Sequence, residues 1–104
     1  MNRGTFKILC RDFTGYKTVD RKGYLFDYGK YRFGCHKSNN SWVVTLLVTG
    51  CRVNNFIITK KSDVVRELEN HNCFEMLDKI NFDNEKMREY MEIIVNAYRQ
   101  DMED

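Results

Sequence analysis

The sequence predicts an α+β domain: an antiparallel β-meander of 4–5 strands followed by two or three C-terminal helices packed on one face. Three observations lead there. Apolar residues alternate at period two through residues 1–60 and recur at three- to four-residue spacing through residues 61–104. Short turn signals separate the strand-like segments, which favours antiparallel neighbours over crossover connections. The chain has 104 residues, 42% of them hydrophobic and 31% charged. That is enough for one core and too little for two, so a single domain over 1–104 is expected, with a β-sheet half (1–60) and a helical half (61–104).

The first strand is expected at Thr5–Arg11, with Phe6, Ile8 and Cys10 on one face and Lys7 and Arg11 on the other. Tyr24, Phe26 and Tyr28 repeat at period two in Lys22–Tyr28, and Asp27-Tyr28-Gly29-Lys30 supplies a turn. Tyr31–Lys37 follows, with Tyr31, Phe33 and Cys35 opposite Arg32 and His36. Ser38-Asn39-Asn40-Ser41 is a strong hairpin signal, because asparagine tolerates the left-handed conformation of tight turns. Trp42–Thr49 is the most apolar and β-branched run, so it is placed as a central strand with Trp42 in the core. Gly50 breaks it, and Cys51–Thr59 returns as the last strand, bulged at Asn54-Asn55.

Ser62 caps the first helix, with Asp63 favourable in its first turn and Val64, Val65 and Leu68 facing inward. Asn70-His71-Asn72 is poor helix material and interrupts it; Cys73–Ile80 resumes the pattern. Asn81–Asn84 is a linker in which Asp83 or Asn84 caps the final helix. That helix carries an apolar stripe of Met87, Tyr90, Met91, Ile94, Val95 and Tyr98.

On this reading Phe6, Ile8, Cys10, Tyr31, Phe33, Cys35, Trp42, Val44, Leu46 and Val48 face the helices. The opposite, open face collects Lys7, Arg11, Lys30, Arg32, His36 and Arg52 with Thr45 and Thr49. Charge is divided along the chain: residues 1–60 hold 11 Lys+Arg against 3 Asp+Glu, and residues 61–104 hold 6 against 12. Cations spread over a surface, with hydroxyls to fix register, suit a phosphate backbone. Lys7, Lys30, Arg32, His36, Lys37 and Arg52 are therefore the candidate binding residues, and Tyr16, Tyr24 or Tyr28 could add a stacking platform. The competing reading is a solvated face that serves solubility.

The acidic half offers a second surface. Glu85, Glu89 and Glu92 lie at i, i+4 and i+7 and share one helical face. Carboxylates repeated along a helix can dock into a groove built for nucleic acid. Lys86, Arg88 and Arg99 interrupt the acid and support the plainer reading of a solvated face.

No phosphate-binding loop, dinucleotide fingerprint, nucleophile elbow or zinc-protease motif is present, so no enzymatic activity and no cofactor are expected. Cys35 and His36 are adjacent on a strand and point to opposite faces, and no pair of cysteines has zinc-knuckle spacing, so no metal is expected. Cys10, Cys35, Cys51 and Cys73 read as reduced thiols of a cytoplasmic protein, since neither a secretory pattern nor a membrane-spanning run accompanies them.

Asparagine (10), lysine (9), isoleucine (6), tyrosine (6) and phenylalanine (7) are abundant, which points to an A+T-rich gene. The block Gly29-Lys30-Tyr31-Arg32-Phe33-Gly34-Cys35-His36-Lys37, through Trp42-Val43-Val44-Thr45, to Thr49-Gly50-Cys51-Arg52-Val53 resembles small uncharacterised phage and mobile-element accessory proteins of A+T-rich bacteria. The resemblance implies a protein that acts by binding a host macromolecule. Together with the charge division, it leads to the expectation of a non-enzymatic inhibitor or modulator of a host nucleic-acid-handling complex in the host cytoplasm, of anti-restriction or anti-CRISPR type. The partner would be a host protein or ribonucleoprotein. Direct nucleic-acid binding by the basic sheet face is the alternative, and a structural homodimer is a third reading.

Overall fold

Hairpin signals set the topology. The computed structural model describes residues 1–103 and contains a five-stranded antiparallel sheet in sequential order. The strands are β1 (Asn2–Asp12), β2 (Gly15–Tyr28), β3 (Tyr31–Ser38), β4 (Ser41–Leu46) and β5 (Cys51–Arg52). At the β3–β4 hairpin Asn39 and Asn40 both take positive φ, 50° and 64°, the pair of left-handed residues a type I′ turn requires. A 3-10 turn at Lys61–Asp63 leads into α1 (Val64–Asn70), followed by α2 (Cys73–Asp78) and α3 (Glu85–Glu103). Asn72, at φ 57°, separates α1 from α2. The Asn84 side-chain oxygen accepts the Met87 N–H at 2.9 Å and caps α3.

Several boundaries differ from expectation. β2 begins at Gly15 rather than Lys22, because Asp12 folds a tight turn by accepting the Thr14 N–H and hydroxyl at 2.8 and 2.6 Å. The last strand ends at Arg52 rather than Thr59. Beyond it Asn54, 1% exposed, takes over the pairing with its side chain. Its oxygen accepts the Val44 N–H at 2.9 Å and its amide donates to the Trp42 and Phe56 carbonyls at 2.9 and 3.0 Å. Ser62 lies inside the 3-10 turn, and Asp63 occupies the cap position of α1 without a capping bond.

The sheet curls. A β-carbon on Gly23 would stand 2.0 Å from the Cys35 carbonyl oxygen, and one on Gly34 would stand 2.7 Å from the Phe6 ring. Both glycines let backbone or ring approach on the side toward which the sheet folds. The curl brings the Leu9 N–H onto the Gly50 carbonyl at 2.8 Å, so β1 reaches the β4–β5 turn.

Strand register then decides which side chains meet the helices. Asn2 pairs with Leu25, Leu25 with Gly34 and Gly34 with Thr45. Phe6, Ile8 and Cys10 therefore share the concave face with Gly34, His36 and Thr45, not the helix-bearing face with Phe33 and Cys35. Lys7 and Arg11 are the ones that share the helix-bearing face. The helices cover Phe33, Cys35, Val44 and Leu46 with Val64, Leu68, Cys73, Phe74 and Leu77, which form the main core. Tyr28 stacks on Phe74 at 3.6 Å between ring centres, and the Tyr31 hydroxyl donates to Asp78 at 2.7 Å. Trp42, expected in the core, is half-buried at its edge, and Val48, expected to face the helices, is exposed after β4 ends at Leu46.

Candidate nucleic-acid interface

The expected basic face does not exist as one open surface. Lys7 is 6% exposed and sits on the helix side. Its ammonium contacts Asp20 and Asp101, both at 2.7 Å, and its backbone N–H donates to the Tyr98 hydroxyl at 3.1 Å. His36, Thr45 and Thr49 are buried. Arg32 lies 3.6 Å from Asp27, and Lys30 lies 3.9 Å from Asp78. The Arg52 Nε donates to the Asn54 carbonyl. Of the six expected contact residues only Lys37 joins a larger positive surface.

Lys7 instead clamps the end of α3 to the β1–β2 hairpin. Hydrogen bonds to Asp101, then to Asp20, hold its ammonium above the usual 10.5. A raised folded-state value means that this stabilisation is complete below the unfolded pKa and is lost as pH rises through the folded one. Lys7→Ala is expected to lower stability by about 2 kcal/mol at neutral pH. The deficit against the parent protein should shrink as pH rises through the raised folded-state value, above the usual 10.5, and thermal melts at neutral and at strongly alkaline pH check it.

A different positive surface lies where the helices leave the sheet uncovered. Arg3 and Lys22 come from paired strands, with Arg3 opposite Tyr24 and Lys22 opposite Thr5. Lys60 and Lys61 arrive from the connection into α1, and the Lys61 ammonium stands 3.7 Å from the centre of the Tyr24 ring. The Tyr24 ring lies 6.0 Å from that of Trp42, which is paired with Lys37 across β3–β4. The Trp42 backbone N–H donates to the Ile58 carbonyl at 2.8 Å, which draws the Lys60–Lys61 segment alongside. The Arg3 guanidinium, with the Lys61 ammonium, holds the Tyr24 hydroxyl below the usual phenol range.

Arg3, Lys22, Lys37, Lys60 and Lys61 have no carboxylate within 4.0 Å among the described residues. An open cleft of about 460 Å³ runs beside Arg3 and Lys22, lined also by Gly4, Thr5, Gly23 and Tyr24. The paired Gly4 and Gly23 contribute backbone to its floor. Tyr24 was legible from the sequence as a stacking candidate; Arg3, Lys22, Lys60 and Lys61 were not. The period that puts Lys22 and Tyr24 on one face and the Lys60-Lys61 doublet were the only local signals.

On α3, Glu85, Glu89 and Glu92 are exposed and make no ion pair among the described residues. Asp104, part of the acidic half, lies outside the described residues. Val95, Tyr98 and Met102 leave apolar surface on the same helix, 45%, 37% and 86% exposed. All four cysteines are free thiols, and burial pushes Cys35 up to about 11. No group of three or more His, Cys, Asp or Glu is placed to hold a metal ion, and no helix is long and apolar enough to cross a membrane, among the described residues. The chain matches no family model, no curated protein and no solved structure, so its functional reading rests on this geometry.

Proposed function

We propose that the protein is a non-catalytic nucleic-acid binder that uses the surface of Arg3, Lys22, Lys37, Lys60 and Lys61 around Tyr24 and Trp42. One observation carries this reading: Arg3, Lys22, Lys37 and Lys61 share one face with two half-buried aromatic rings, Lys60 adjoins Lys61 in the chain, and no carboxylate pairs with any of the five among the described residues. Unpaired cations attract a phosphate backbone, and the rings offer a face on which an unpaired base can stack. The test is fluorescence anisotropy of short single-stranded and duplex oligonucleotides at low salt. The parent protein should bind. The variant carrying Lys22→Glu, Lys37→Glu and Lys61→Glu should lose at least about two orders of magnitude in affinity, since each reversal removes a phosphate contact and adds a repulsion. Lys30→Glu with Arg32→Glu, whose parent cations already face carboxylates, should leave binding nearly intact. A parent protein that ignores oligonucleotides at low salt overturns the reading.

A second reading, inhibition of a host nucleic-acid-handling complex, is favoured by the exposed, unpaired Glu85, Glu89 and Glu92 on α3. It expects a partner retained from nuclease-treated host lysate by the parent protein and by the basic-surface variant, and released by reversing the three glutamates. Retention by the glutamate variant sinks it.

A further inference from the structure

The concave face carries its own unsatisfied chemistry, on the other side of the sheet from the surface above. His36 is 8% exposed, and its Nδ1 is sealed from solvent with no hydrogen-bond partner. Its ring lies 6.0 Å from that of Phe6, which is itself 1% exposed and paired across the hairpin with Arg21. Arg52 stands on the same face, since it pairs with Thr45 and Thr45 pairs with Gly34. Arg21 donates to the Asp20 backbone carbonyl at 3.1 Å, and Arg52 donates to that of Asn54. Neither has a carboxylate partner among the described residues. Burial first, then these two guanidiniums, pull His36 below the usual histidine range.

A neutral imidazole carries one proton. A buried N–H without an acceptor is the rarer and costlier defect, so the proton belongs on Nε2, the nitrogen that is not sealed. The ring then presents a neutral N–H donor on the face that Arg21 and Arg52 share, beside the Phe6 ring. Low-dielectric walls strengthen the field of such a pair of cations.

We propose that this cluster is a site for a phosphate-type oxyanion, with Arg21 and Arg52 supplying charge and the His36 Nε2–H supplying a directed hydrogen bond. The oxyanion is either a free phosphate compound or a phosphate of a bound nucleic acid. The site accounts for a nearly buried imidazole whose outer nitrogen has no partner, and for two arginines on the same face that no carboxylate neutralises.

The test follows the ring nitrogens of His36 by NMR during titration with inorganic pyrophosphate. A saturable shift with a dissociation constant in the millimolar range or tighter is expected. Arg21→Gln and Arg52→Gln should each weaken it about tenfold, the loss of one charge-assisted contact. Arg3→Gln with Lys61→Gln should leave it unchanged. Oligonucleotide anisotropy on the Arg21→Gln/Arg52→Gln protein separates the two ligand sources: retained affinity assigns the site to a free phosphate compound, and reduced affinity assigns it to a nucleic-acid phosphate. If the double variant does not fold, Arg52→Gln alone serves, because Arg52 is exposed. No saturable shift in the parent protein, a shift indifferent to both arginines, or one abolished by Arg3→Gln/Lys61→Gln would overturn the proposal. None of these outcomes bears on whether oligonucleotides bind the opposite surface.

Discussion

Gly23→Ala is expected to destabilise the native fold severely. The added carbon would stand 2.0 Å from the Cys35 carbonyl oxygen, 3.0 Å from its carbon and 3.3 Å from the His36 α-carbon. All three are backbone atoms, so no rotamer change relieves the contact. Relief requires β3 to move away from β2 where Tyr24 pairs with Cys35, and that movement opens the curl. Overpacking a well-filled site usually costs about 1–3 kcal/mol. A clash confined to two backbones belongs at or beyond the top of that range, against a total stability of about 5–15 kcal/mol. The melting temperature should fall by about 15 °C or more, or the cooperative transition should disappear. Two neighbouring glycines serve as controls. At Gly4 the nearest atom is the Leu25 Cδ1 at 2.7 Å, the movable end of a side chain, so Gly4→Ala should cost far less. At Gly29 nothing lies within 4 Å, and only its φ of +59° opposes alanine, a cost of about 1 kcal/mol. If Gly23→Ala melts within a few degrees of the parent protein, the close approach of β2 and β3 is wrong. The positive surface would be wrong with it, since the floor of its cleft is the same Gly4–Gly23 pair.

Much of the fold is written locally, and the parts that are not share one cause. Asn39-Asn40, Asn72 and Asn84 act through their own backbone conformation or a bond spanning three residues, so a turn, a helix break and a cap can be read without knowing the tertiary structure. Alternation in β1 and β3 is also local. The phase between them is not. A strand has two equivalent faces until pairing is fixed, and shifting by one residue exchanges them. Assigning Phe6 to the same side as Phe33 was therefore arbitrary, and the pairing chain Asn2–Leu25–Gly34 sets the opposite phase. The same exchange moves Lys7 from an imagined open face to the underside of α3. The actual cationic surface draws on β1, β2, β3 and the connection into α1. No window of sequence contains it, and it becomes visible only once register places Arg3 opposite Tyr24. Asn54 escaped for a related reason: a polar residue after a glycine-broken strand reads as a bulge, whereas burial converts its amide into a substitute for two ladder contacts, to Val44 and Trp42, with a third bond to its own segment at Phe56.

Salt dependence should separate the cations that act from those already neutralised. Each cation that replaces a condensed counterion contributes about 0.7–0.9 to the slope of log affinity against log salt, so five contacts give a slope near −4. Between about 50 and 200 mM salt, affinity of the parent protein should then fall by a factor on the order of 10². Neutralising Arg3, Lys22, Lys37, Lys60 or Lys61 one at a time to glutamine should reduce the steepness by about one contact each. Lys30→Gln and Arg32→Gln should leave the slope unchanged, because the parent side chains lie 3.9 and 3.6 Å from Asp78 and Asp27 and release no counterion on binding. Lys7→Met is the sharpest control. It removes a full charge, yet that ammonium is buried between Asp20 and Asp101 and cannot reach a ligand. A binder attracted by net charge alone would respond to all of these changes alike. A slope that falls only with the five unpaired cations ties the affinity to one place on the molecule. Equal responses from Lys30, Lys7 and Lys22 would mean that the charge acts as a diffuse cloud, and the surface around Tyr24 and Trp42 would lose its claim to be the interface.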